Sequence, residues 1–277
     1  VRDVAFKDCG FWHPENFYTP EDGLSFMEAI LVCGGVGERM RPLTDTLPKP
    51  MIPIDGKPVL EYLVMLCKKH GFTRIAITTS YLPEVITDYF GDGSRFGVEI
   101  VYSFEPELLG TAGALNNFKG FFTGPFAVIY GDQITDIDLT KMLEFHKAKG
   151  GLGTIYMYKE DVVDEKTTPS CVVTDGKDEV LEIIERPTKE QALMLAELPP
   201  ECKTMKSGIY ILEPSVIDLI PEGKSDFSMD TLPAALKIGK LYAYFENCYI
   251  KEVGQMMRYL IAKEDIESGR VKLGLWD

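Results

Sequence analysis

The sequence predicts an α/β fold: a Rossmann-like, mostly parallel sheet with helices on both faces, continued by a mixed β/α half. Three observations predict it. From residue 28 short apolar runs alternate with stretches of helical periodicity. The first apolar run empties straight into a glycine-rich loop, Gly34-Gly35-Val36-Gly37-Glu38-Arg39. In the second half the helical stretches thin out and strands with two-residue alternation take over.

Each element has its reason. Residues 29–33 are unbroken apolar, as in a strand buried on both faces. Residues 59–70 place Leu60, Leu63, Val64 and Cys67 at helical spacing and close with Lys68-Lys69-His70-Gly71, a helix stop. Residues 74–80 read as a strand, and 83–90 as a short helix with proline in its first turn. Residues 98–103 form a strand, 111–118 a helix, and 126–130 a strand that delivers Gly131-Asp132. A helix over 139–149 is closed by Gly150. Strands are expected at 154–158, 170–174, 180–186 and 204–212, and helices at 228–238 and 255–267.

Composition narrows the partners. The chain has 277 residues, 45% of them hydrophobic, enough for a sizeable core. A net charge of −14 argues against nucleic acid or an anionic membrane as the partner. No apolar run reaches membrane length, and no signal peptide is recognised. The six cysteines include no Cys-x-x-Cys pair, so a zinc or redox centre is not expected and the pattern fits a cytoplasmic protein. Cys33 and Cys67 read as core residues, and His70 and His146 as helix-end caps. Residues 1–26 carry Phe6, Phe11, Trp12, Phe17 and Tyr18 and read as an aromatic N-terminal extension that packs on the body or a neighbouring subunit. A homo-oligomer is compatible with such an arm.

The charge balance reverses locally. Between Gly34 and Lys57 four basic residues (Arg39, Arg41, Lys49, Lys57) face three acidic ones (Glu38, Asp45, Asp55). A strand emptying into a glycine-rich, basic, proline-braced loop suits a polyphosphate. The loop is not a dinucleotide fingerprint, because Met40 stands where its third glycine belongs. It lacks the Gly-Lys-Ser/Thr ending of a P-loop too. What it resembles, from Gly34 to Pro50, is the signature of the sugar-1-phosphate nucleotidyltransferases: Gly-Gly-x-Gly-x-Arg-Met-x-Pro-Leu-Thr, then Pro-Lys-Pro.

That resemblance extends over roughly residues 27–265 and implies both an activity and a site. The implied fold is the nucleotide-diphospho-sugar transferase fold, one domain over 27–277, with a nucleotide-binding half at 27–135 and a sugar- and metal-binding half at 136–277. The implied reaction is Mg²⁺-dependent transfer of a nucleotidyl group from an NTP to a sugar-1-phosphate, releasing pyrophosphate. Arg39 and Lys49 would handle the phosphates. Gly34, Gly35 and Gly37, with Leu109, Gly110, Thr111 and Gly113, would line the nucleotide. Asp132 of Tyr130-Gly131-Asp132 and Glu252 of Lys251-Glu252-Val253-Gly254 would hold the metal. Glu185, Arg186, Lys206, Gly208 and Asp230 would surround the sugar phosphate. Three positions depart from the family spelling: Arg186 for lysine, Lys206 for asparagine and Glu252 for aspartate.

Leu109-Gly110-Thr111-Ala112-Gly113 is spelled most like the mannose- and heptose-phosphate guanylyltransferases, which implies GTP. Uridylyl-, thymidylyl- and cytidylyltransferases acting on glucose-1-phosphate share most of the motifs and stay open. So does a regulatory subunit that binds a nucleotide sugar without turnover. The resemblance also implies that this stretch stops short of the carboxyl-terminal β-helix of some relatives.

Overall fold

The structure, a computed structural model, describes residues 27–158, 171–185, 187–197 and 203–276. The N-terminal extension over residues 1–26 and Arg186 therefore lie outside the described residues.

The first half follows the alternation read from the sequence. β1 (Met27–Val32) is followed by a long loop of 3₁₀ turns and the hairpin β2 (Pro53–Ile54) and β3 (Lys57–Pro58). Then come α1 (Val59–Lys69), β4 (Phe72–Thr79), α2 (Pro83–Phe90) and β5 (Glu99–Phe104). A short helical turn α3 (Gly110–Gly113) leads to β6 (Phe126–Tyr130), β7 (Gln133–Thr135) and α4 (Leu139–Lys149). The second half adds β8 (Gly153–Tyr158), β9 (Cys171–Thr174), β10 (Val180–Ile184), α5 (Lys189–Glu197) and β11 (Lys203–Leu212). It ends with α6 (Leu232–Ile238), β12 (Leu241–Phe245), β13 (Ile250–Glu252) and α7 (Met256–Glu267).

Among the described residues nine strands form one sheet. β6, β1, β4 and β5 are parallel neighbours, as strand–helix crossovers require. β11 then pairs antiparallel with β6 and carries β8 on its other side, and β12 joins β8 in parallel. Within the apolar run of β1 that follows Glu28, Ala29 and Leu31 enter one core with Leu60, Val64, Ile129 and Ile209. Ile30 enters the opposite core with Phe118, Phe126, Val128, Tyr210 and Phe227. Period-two geometry thus buries both faces of one strand.

Three expectations change. The helix expected over 111–118 breaks into α3 and a 3₁₀ stretch, Ala114–Phe118. The reason is an outside acceptor: the Ala112 and Gly113 N–H groups donate to Ser225 O at 3.0 and 3.3 Å. The helix expected over 228–238 opens as a π-turn, Phe227–Thr231, before Pro233 sets the first turn of α6. His146 is not a cap. It lies buried, its ring 3.0 Å from Thr154 Oγ1 and 3.2 Å from Glu213. His70 does cap α1 and meets Thr140 Oγ1 at 3.0 Å. Cys33 and Cys67 are core residues. Among the described residues no helix is long and apolar enough to cross a membrane.

Candidate active site

The carboxyl ends of β1 and β6 lie side by side, in register Val32↔Tyr130. Both strands end in glycine-containing turns, and ligands of open α/β sheets gather at this edge. Gly131 N–H donates to Val32 O at 2.9 Å, and a Cβ on Gly131 would fall 2.5 Å from Cys33 Sγ. Only glycine lets the two turns press together here.

The first loop is braced from inside. Gly37 holds a left-handed conformation, φ 72°, and a Cβ there would meet Lys49 Cβ at 2.9 Å and Thr44 Cγ2 at 3.0 Å. The Thr44 hydroxyl donates to Gly37 O at 2.9 Å. Met40 and Pro50 are buried beneath the loop, while Gly35, Glu38 and Arg39 stay exposed above it. The chain thus carries an open rim of backbone and guanidinium over an apolar floor.

Lys49 and Asp132, distant in sequence, form an ion pair of 2.5 Å, Nζ to Oδ2. β13 pairs antiparallel with β7, placing Glu252 opposite Gln133, and Val253 N–H donates to Asp132 O at 2.8 Å. This two-stranded ribbon brings Glu252 to Asp132. Gly254 marks the meeting point: a Cβ built there would lie 2.8 Å from Glu252 Oε1, 3.2 Å from Asp132 Oδ2 and 3.8 Å from Arg39 Nη2. Arg39, Asp132 and Glu252 therefore surround one spot, with Lys49 on Asp132. Burial, and then the charge of Asp132, hold the Glu252 carboxyl above the ordinary carboxylate range.

Among the described residues no three metal-ligating side chains cluster. Two crowded carboxylates at a strand end nevertheless suit a hard divalent cation that takes its remaining ligands from water and phosphate. The donor set fits Mg²⁺.

The second glycine turn sits beside the first. Glu105, which follows β5 and is 1% exposed, accepts the Leu109 N–H at 3.0 Å. Its other oxygen would lie 2.9 Å from a Cβ on Gly34. Gly110 and Gly113 press on the segment that follows: added Cβ atoms would lie 2.3 Å from Ser225 O and from Gly223 O respectively. The Thr111 hydroxyl donates to Asp226 Oδ2 at 2.7 Å and accepts the Phe227 N–H at 3.0 Å. The Gly113 N–H is already engaged, so Gly113, like Gly110, packs the turn against 223–226, while Leu109 faces the first loop through Glu105.

Further along, Gly208 lies under the Tyr130 ring, where a Cβ would come within 2.3 Å of it. Lys206 meets Glu185 at 3.5 Å. Asp230 is exposed and folds back, its carboxylate accepting the Asp226 N–H at 2.8 Å. Asp226, rather than Asp230, faces Thr111. Sequence reasoning missed Glu105 and Gly254. A lone acid at the end of an apolar strand was the available signal for Glu105. Gly254 carried only its place in the Lys251-Glu252-Val253-Gly254 motif, because its own role depends on three side chains meeting at it.

Comparison with known proteins adds the lineage. The uridylyltransferase of Synechocystis (UTP--glucose-1-phosphate uridylyltransferase) is 38% identical over 89% of this chain and 65% of its own length. The mannose-1-phosphate guanylyltransferase of Mycobacterium tuberculosis is 32% identical over 88% of this chain and 65% of its own. The chain thus spans about two thirds of the length of these relatives. The solved structure of HddC from Yersinia pseudotuberculosis complexed with GMP-PN superposes with a TM-score of 0.68 at 26% identity, over 87% of this chain and 99% of that one. Residues 28–269 match the family model described as nucleotidyl transferase, which shows that the chain belongs to that family.

Proposed function

We propose that the protein catalyses nucleotidyl transfer from an NTP to a sugar-1-phosphate, giving an NDP-sugar and pyrophosphate. The convergence of Arg39, Lys49, Asp132 and Glu252 at the mouth of the glycine loop carries this reading. An oxygen of the sugar phosphate attacks the α-phosphorus of the NTP, and the bond to the β-phosphate oxygen breaks. The nucleophile is already anionic at neutral pH, so no general base is required. What remains is alignment and charge neutralisation. Arg39, exposed on the rim, stabilises the departing pyrophosphate. Lys49 moves from Asp132 to the α-phosphate as charge builds there. Asp132 and Glu252 would hold Mg²⁺, which neutralises phosphate charge between the two substrates. Gly34, Gly35 and Gly37 let the nucleotide approach the backbone, and Leu109, Gly110 and Thr111 border its base. Glu185, Arg186, Lys206 and Gly208 border the sugar phosphate. The nucleotide half ends near 135, where the ribbon of β7 and β13 begins.

Two substrate pairs have specific support. The spelling of residues 109–113 and the guanylyltransferase relative favour GTP with mannose-1-phosphate. The relative of 38% identity favours UTP with glucose-1-phosphate. Pyrophosphate release with Mg²⁺ across both pairs, and with dTTP and CTP, tests the reading. Release that disappears in Lys49→Ala supports it. Nucleotide-sugar binding without release across the whole grid contradicts it and favours a binding subunit.

A further inference from the structure

The backbone that carries Lys49 is tied down from its far side. Lys49 opens a 3₁₀ turn, Lys49–Met51, and the Ile52 N–H donates to Lys49 O at 3.2 Å. The chain then enters the β2–β3 hairpin, whose Asp55-Gly56 corner has φ of 48° and 72°, the left-handed pair that suits a two-residue turn. Val59 N–H donates back to Ile52 O at 3.1 Å and closes the base of the hairpin. Two strands of two residues each do not hold a position by themselves.

Two tyrosine hydroxyls hold it. Tyr62, on the adjoining α1, donates to Ile54 O at 2.9 Å. Tyr259 donates to Pro53 O at 2.8 Å, across 206 positions of sequence. Pro53 has no N–H, so its carbonyl is the backbone group left to grip. Tyr259 is buried in the same core as Met40, Met51 and Ile52. It stands at the start of α7, the helix that follows Glu252-Val253-Gly254. Gly254 is where Arg39, Asp132 and Glu252 converge. One short stretch, 252–259, therefore carries a carboxylate of the site at one end and the anchor of the Lys49 hairpin at the other.

Resting on the nucleotidyl-transfer reading, we propose that Tyr259 is a positioning residue, whose hydroxyl fixes the backbone of Lys49 relative to Asp132 and Glu252. The Lys49 ammonium starts 2.5 Å from Asp132 Oδ2 and passes to the α-phosphate. A long flexible stem delivers its charge to one place only from a fixed pivot. A displacement of about 1 Å in an aligned group costs on the order of 100-fold in rate. Tyr259 touches no substrate. It acts through Lys49, and its removal should be felt in turnover rather than in nucleotide affinity.

Tyr259→Phe removes the hydroxyl and keeps the ring, and thermal unfolding verifies that the variant is folded. Pyrophosphate release is expected to fall ~5- to 50-fold in kcat, with equilibrium NTP binding unchanged. In a Lys49→Ala background the same substitution is expected to remove nothing further, because both act on one group. Amide hydrogen exchange reads the tether without turnover: Met51, Ile52 and Val59 should exchange ~5-fold faster or more in Tyr259→Phe, with the amides of β4 unchanged. Wild-type kcat in Tyr259→Phe, an equal further loss on top of Lys49→Ala, or unchanged exchange over 51–59 overturns the proposal. Failure of the catalytic reading shows itself differently, as no release from the wild type while the exchange difference persists.

Discussion

Gly254→Ala places one methyl group where three functional side chains meet. The added carbon would lie 2.8 Å from Glu252 Oε1, 3.2 Å from Asp132 Oδ2 and 3.8 Å from Arg39 Nη2. A relaxed carbon–oxygen contact is longer by roughly half an ångström, since close-packed interiors leave little slack. Gly254 does not have positive φ, so alanine suits the backbone and the side chains must give way. Glu252 is only partly buried, and its carboxylate can swing outward at small cost. Stability should therefore change by less than about 1 kcal/mol. Catalysis should not be spared. A displacement of this size in a group that aligns charge costs about 10- to 100-fold in turnover. The assay is steady-state pyrophosphate release, with thermal unfolding alongside. The Mg²⁺ requirement should rise, because both carboxylates shift. Wild-type turnover at wild-type Mg²⁺ would refute the assignment of this spot as the reaction centre.

Other perturbations separate chemistry from architecture. Lys49→Ala should cost about 100- to 1,000-fold in turnover, with nucleotide affinity falling much less in equilibrium binding. Gly208→Ala drives a Cβ to within 2.3 Å of the Tyr130 ring and should destabilise by about 1–3 kcal/mol in urea unfolding. Glu28→Ala removes the buried carboxylate 3.0 Å from Arg74, leaving the guanidinium Glu99 at 3.7 Å and Phe121 O at 3.4 Å, and should cost about 1–3 kcal/mol in the same measurement. Burial holds His146 and His70 below the ordinary value of 6.5. The folded state thus binds fewer protons than the unfolded chain, and stability contributed by the neutral rings is lost as pH falls below about 6.5. His146→Gln should flatten the fall of the unfolding midpoint as pH drops below about 6.5.

The parts legible in the sequence were those written in contiguous residues. β1, β4 and β6 each carry a continuous apolar run, over residues 29–32, 75–77 and 126–129, because both faces are buried there, and the loop from Gly34 to Pro50 is spelled out without interruption. The turn-ending glycines and the prolines of the first turns marked helix boundaries to within two residues for α1, α2 and α4. What escaped was written in contacts. β7 and β13 have three residues each, too few for a periodic signal, yet their pairing is what brings Glu252 to Asp132. α5 exposes Leu193 and Met194 and so lacks a clean apolar stripe. β12 does alternate, with Leu241 and Ala243 buried and Tyr242 and Tyr244 less so, and this signal went unread. Within the site, Arg39, Lys49 and Asp132 were readable as residue types. The direct Lys49–Asp132 ion pair and the crowding at Gly254 were not, because each joins segments far apart in the chain.

Pyrophosphate release from GTP with mannose-1-phosphate and from UTP with glucose-1-phosphate, in Mg²⁺, measured for the wild-type chain beside Lys49→Ala, tests the central claim most directly. The account predicts release with at least one pair and a loss of about 100-fold or more in the variant. Release that Lys49→Ala leaves intact, or silence of the wild type with both pairs and with dTTP and CTP, would contradict it.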